Sequence, residues 1–81
     1  MRDRLRAMVA SMNLLPVPVG GLSDQDNLFD AGMTSFGSVQ LMLAIEEALD
    51  IEFPNSLLTR KTFATLGDLT SAVEQIVAEK A

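Results

Sequence analysis

The Ser35 hydroxyl is the side chain most open to chemistry in this sequence. It lies near the end of the segment Leu28-Phe29-Asp30-Ala31-Gly32-Met33-Thr34-Ser35-Phe36. A serine that attacks a substrate unaided needs a base to take its proton. The chain has no His, and Ser35 lies in no Gly-x-Ser-x-Gly turn. Lys61 and Lys80 could replace His only from a buried pocket, which a chain of 81 residues hardly provides. A serine hydrolase is therefore a poor reading. The absence of Cys removes thiol nucleophiles, disulfides and Cys/His zinc sites. Glu46 and Glu47 are adjacent on a helix and do not face each other, so they form no acid–base pair. Asp24, Asp26 and Asp30 occupy the first, third and seventh positions of a calcium loop. Leu28, Phe29 and Ser35 then stand where an oxygen ligand, a Gly and a bidentate Glu are required. These acids read as solvated loop residues or turn caps, and no metal site is expected. Gly32 permits a tight turn, and Thr34 or Ser35 can cap the next helix. On local chemistry alone, Ser35 is a helix cap and nothing more.

Apolar periodicity marks the helices around this segment. Leu5, Met8, Val9, Met12 and Leu15 recur at helical spacing and predict a first helix over residues 3–14. Pro16, Pro18, Gly20 and Gly21 break it and open a long connection over 15–34. A connection of that length in a small domain tends to be functional. Leu22, Leu28 and Phe29 are expected to anchor it, with a single turn over Asp26–Asp30. The second helix spans residues 35–49. Leu41, Met42, Ile45, Ala48 and Leu49 supply its core face, while Phe36, Val39 and Leu43 lie on a different side. Burial and exposure are equal prospects for Val39 and Leu43; Phe36 is the better prospect for outside contact. Pro54 ends the segment after this helix, and residues 55–61 form a short helix or turn. Phe63 and Leu66 are further core anchors. Thr65 caps the last helix, with Asp68 three residues on, Leu69, Val73, Ile76 and Val77 on its apolar face, and Lys80 near its end. The expected fold is all-α: one domain over 1–81, three main helices plus one short helix, and a long loop between the first two.

The net charge of −5 is unevenly spread. Arg2, Arg4 and Arg6 crowd the start. From Gly20 to Thr59 there are seven acids, Asp24, Asp26, Asp30, Glu46, Glu47, Asp50 and Glu52, and no base. Such a field repels nucleic acid and steers basic protein partners, although acids also simply keep small domains in solution. No apolar run is long enough to span a membrane, and the start Met1-Arg2-Asp3-Arg4 leads into an amphipathic segment, unlike a signal peptide. A cytoplasmic monomer is the simplest expectation.

The whole arrangement resembles the acyl and peptidyl carrier protein family. That family's signature runs roughly Leu-Phe-x-x-Gly-x-Asp-Ser-Leu before an apolar helix ending in two acids. Leu28, Phe29, Gly32, Ser35, Val39, Leu41, Glu46 and Glu47 fall on matching positions, as do Ile51-Glu52-Phe53-Pro54 and the stretch from Phe63 to Leu69. The similarity covers about residues 5 to 77. Two positions depart from the pattern: Thr34 replaces the usual Asp and Phe36 the usual Leu. The first puts recognition by a generic transferase in question.

The resemblance implies a protein that is not itself an enzyme. A separate phosphopantetheinyl transferase and its metal would activate Ser35 for attack on the pyrophosphate of coenzyme A, leaving 4′-phosphopantetheine attached through a phosphodiester. The terminal thiol would carry an acyl or aminoacyl group as a thioester. Partners would be that transferase, a loading ligase and downstream acyl-processing enzymes. Thr34, Phe36, Val39, Gln40, Leu43, Glu46 and Glu47 would meet them. The Gly-Met-Thr-Ser-Phe form looks like the small stand-alone carriers loaded with amino acids, while fatty acyl, polyketide and peptide cargoes stay open. Ser38 is the second choice for attachment. The competing reading is an unmodified helical adaptor that binds partners through helix 35–49.

Overall fold

The computed structural model describes residues 1–80 and is all-helical among them. Three α-helices form it: α1 (Arg2–Ser11), α2 (Ser35–Leu49) and α3 (Leu66–Lys80), with 3-10 turns at Val19–Gly21 and Asn55–Leu57. α1 packs against both α2 and α3. Leu5 and Val9 of α1, Leu41 and Ile45 of α2, and Leu66, Leu69 and Val73 of α3 have lost all contact with solvent. Each set repeats every three to four residues, so one face of each helix meets at a common centre.

The second helix has the expected bounds, but the first is shorter. It ends at Ser11 rather than 14, because Asn13 turns left-handed at φ 55° and its N–H bonds back to Ala10 O. Asn tolerates that conformation, so the helix stops before the prolines are reached. The short helix expected over 55–61 is a single 3-10 turn at Asn55–Leu57, followed by hydrogen-bonded turns through Ala64. Ala48 and Val77, expected on core faces, are both exposed.

The long connection is held at several points. Arg6 donates to Val19 O and Leu22 O at 2.8 Å each and to Asp24 Oδ1 at 2.7 Å, and Arg2 adds a 2.9 Å ion pair to Asp24. Asp24 O accepts from Gly67 N, and Leu28 N donates to Ala64 O. Asp26 Oδ2 accepts from Ser23 N, as a turn cap does. Two of the three acids that superficially match a calcium loop, Asp24 and Asp26, thus have their carboxylates engaged in local and inter-segment bonds. The loop's buried anchors are Val19, Leu28 and Met33, with Leu22 and Phe29 packed half-buried against them.

Candidate functional site

The approach to α2 is built as a helix ending. The turn expected over Asp26–Asp30 lies further on, over residues 28–32. Met33 N–H reaches back to Leu28 O and Gly32 N–H to Phe29 O, with Gly32 at φ 119°. This paired closure is the Schellman arrangement, and it favours Gly at the residue with positive φ. It reverses the chain and drives Met33 into the core. Thr34 then sits in extended backbone, and its Oγ1 accepts from Gly37 N at 2.8 Å.

Thr34 is therefore the cap, and Ser35 is the first residue of the helix proper. The capping role, open between the two residues on sequence grounds, has gone to the neighbour. Ser35 is exposed, and among the described residues its hydroxyl has no hydrogen-bond partner. The N–H groups of Ser35 and Phe36 are likewise left without acceptors at the positive end of a 15-residue helix. Ser38, by contrast, is half-buried, and its hydroxyl donates to Ser35 O at 2.6 Å. Replacing Thr34 by Ala is expected to cost about 1 kcal/mol of stability, the usual worth of a cap. Replacement by Asp, which also caps, should cost almost nothing. Urea unfolding of both variants checks this.

The surface running down α2 from Ser35 is apolar. Phe36 is 72% exposed, Leu43 54% and Val39 47%, with Leu58 beside them at 44%. Val39 and Leu43 thus lie outside the core. Gln40 and Glu47 are exposed as well. Glu46, expected on a partner-facing rim, also has a bond within the fold. It is half-buried, and its Oε2 accepts from Phe53 N at 2.8 Å, bracing the segment after the helix. That segment begins at Asp50, left-handed at φ 52°, where Lys80 Nζ donates to the Asp50 carbonyl and carboxylate.

A groove of about 350 Å³ opens beside Ser35, between α2 and the 58–63 segment. Phe29, Met42, Leu58 and Arg60 line it together with Ser35. Leu58 and Arg60 had no expected role, and no local signal in the sequence marks them. They approach Ser35 only because the turns after Pro54 fold back along α2.

The site is thus a small helical bundle with an unengaged hydroxyl at a helix start, beside a groove and an exposed apolar strip. The model of the phosphopantetheine attachment site family matches residues 3–73. The chain belongs to that family, and it is a homologue of aminoacyl carrier proteins. It is 46% identical over 80 residues to the "Aminoacyl carrier protein" of Agrobacterium fabrum, covering 99% of this chain and 96% of the relative. It superposes with a TM-score of 0.86, at 47% identity, on a chain in the crystal structure of an engineered Bradyrhizobium japonicum glycine:[carrier protein] ligase complexed with carrier protein from Agrobacterium tumefaciens and ATP; the match covers 93% of this chain and 97% of that one. A second match, with a TM-score of 0.70 and 28% identity over 88% of this chain and 96% of the other, is in the structure of the Bradyrhizobium japonicum ligase complexed with glycylated carrier protein.

Proposed function

We propose that residues 1–81 form a single carrier domain that holds an aminoacyl group on a 4′-phosphopantetheine arm attached to Ser35. The observation that carries this reading is the division of labour at the start of α2, where Thr34 caps the helix and the Ser35 hydroxyl is left exposed and unbonded. The residues fit the group. Ser35 offers the oxygen that bonds phosphorus. The free N–H groups of the first turn favour the phosphate's negative charge. The arm, when bound, supplies a thiol that carries the cargo as a thioester. This chain's residues attach, orient and present it, and catalysis rests with partner enzymes. A phosphopantetheinyl transferase and an amino acid:carrier protein ligase are the first two of these, in a cytoplasmic setting.

An amino acid cargo is supported by the relatives, one of them glycylated in its crystal structure. Phe36, Val39 and Leu43 form the apolar centre of the docking face, and Thr34, Gln40 and Glu47 its polar rim. Glu46, with one oxygen held by Phe53 N, contributes there mainly by keeping the helix end in place. Phe36→Ala is expected to weaken ligase binding by about 2 kcal/mol, roughly thirtyfold in KM, with stability almost unchanged. Steady-state loading kinetics and thermal melting check the two halves of that statement.

The test of the function itself is intact mass in two stages. Incubation with coenzyme A, Mg²⁺ and a transferase should add one phosphopantetheine. A glycine:[carrier protein] ligase with ATP and an amino acid should then add one aminoacyl group that neutral hydroxylamine removes. No gain at the first stage with several transferases leaves the helical adaptor as the reading. A first gain without a second, across the amino acids, removes the aminoacyl cargo.

A further inference from the structure

We propose that Arg60, held over the Phe29 ring, clamps the phosphodiester at Ser35 and directs the arm along the groove between α2 and the 58–63 segment. The clamp rests on attachment of the arm at Ser35 and adds a positioning residue to it. Arg60 and Ser35 line the same groove, and Arg60 is the one charged residue in its lining. The guanidinium carbon lies 3.9 Å from the Phe29 ring centroid. Stacking on the ring uses the flat face of the guanidinium. Its N–H edges remain available, because no carboxylate or carbonyl accepts from them among the described residues. An edge-on guanidinium matches two oxygens of a phosphate, and a side chain already ordered by an aromatic ring loses little entropy on binding.

The support beneath Arg60 is firm. Phe63 N bonds to Arg60 O, Ala64 O accepts from Leu28 N, and the buried Phe63 ring packs 5.4 Å from Phe53. The backbone that carries Arg60 is thereby tied to the loop that carries Phe29. Beyond the charge, the groove wall is mostly apolar, with Val39, Met42, Leu58 and Phe63 beside the hydroxyls of Ser38 and Thr59. That suits the branched hydrocarbon next to the arm's phosphate. At about 350 Å³ the groove is at the small end of ligand sites, so it accommodates part of the arm and leaves the thiol end free to reach a partner.

The test uses the full chain after conversion by coenzyme A, Mg²⁺ and a transferase, with intact mass establishing one arm per molecule. Failure to gain that mass overturns attachment itself and is distinct from failure of the clamp. On the converted protein, NMR should show contacts from the arm's geminal methyls to Met42 and Leu58 and a shift of the Arg60 side-chain signals on modification. In Arg60→Gln the docked-to-free ratio should fall about fivefold, the size of one solvent-exposed ionic contact. Lys61→Gln, which removes the neighbouring cation outside the groove, should leave it unchanged, and Arg60→Lys should retain part of it. Salt at about 0.5 M should weaken docking in the wild type and not in Arg60→Gln. Unmodified spectra of each variant separate these effects from any disturbance of Phe29. Modification shifts confined to residues 33–38, or methyl contacts unchanged in Arg60→Gln, overturn the proposal.

Discussion

Ser35→Ala is expected to gain no mass at all from coenzyme A and a transferase, while the wild type gains one phosphopantetheine. The effect is all-or-none because the substitution removes the oxygen that must bond phosphorus. No neighbouring hydroxyl is placed to substitute. Ser38 Oγ is half-buried and committed to Ser35 O, and Thr34 Oγ1 is committed to Gly37 N. Ser38→Ala should therefore be modified as the wild type is. Stability should report the same asymmetry. Among the described residues the Ser35 side chain has no hydrogen-bond partner, and it is exposed, so its loss should shift unfolding by no more than about 0.5 kcal/mol. Intact mass with urea unfolding reads both quantities on the same samples. Residual modification of Ser35→Ala would move the attachment point elsewhere.

Gly32→Ala is expected to be the most damaging single substitution in the segment that delivers Ser35. Two costs combine there. At φ 119° Gly32 holds a conformation that residues with a Cβ rarely adopt, and a Cβ placed on it would lie 2.5 Å from Pro16 Cδ and 2.7 Å from Cγ. The proline ring cannot swing aside as a flexible chain would, so backbone must move. We expect a loss of about 3 kcal/mol, near the upper end for a strained backbone residue. A domain this small has little stability to spare. The two costs can be separated. In a Pro16→Ala background the clash is relieved and the backbone strain remains, so Gly32→Ala should cost only about half as much there. Equal costs in both backgrounds would mean the ring is not the obstacle. Transfer to Ser35 should also slow, because the closure that pins Leu28, Phe29 and Met33 sets where α2 begins.

Exposure of the apolar strip on α2 follows from what the core needs. Leu41 and Ile45 fill the side of α2 that faces the bundle centre. Phe36, Val39 and Leu43 have no element packed over them and are left as a patch of the kind that marks an interaction surface. The acids cluster at the far end of this face, with Glu47 and Asp50 exposed. On the proposed docking face, charge there would steer encounter while the contact near Ser35 is apolar.

The helical class, the bounds of α2, most of the core and the serine at the head of α2 are all legible in the amino acids alone. Each depends on information carried within a short stretch: apolar residues every three or four positions, Gly before a cap, Pro after a helix. The chemistry is narrowed there too, since a chain without His or Cys has few ways to activate a nucleophile. Other features exist only once the chain has closed on itself. Thr34, rather than Ser35, caps α2, because the turn at Gly32 sets the backbone angle at which Thr34 meets Gly37 N. Glu46 is half-buried and bonded, because the segment after α2 folds back and brings Phe53 N to it across seven positions of chain. Arg60 and Leu58 border the serine, although more than twenty residues separate them from it in sequence. Periodicity reports which side of a helix is apolar. Which neighbours arrive at its other side depends on how loops close, and that is fixed by contacts between residues far apart in the chain.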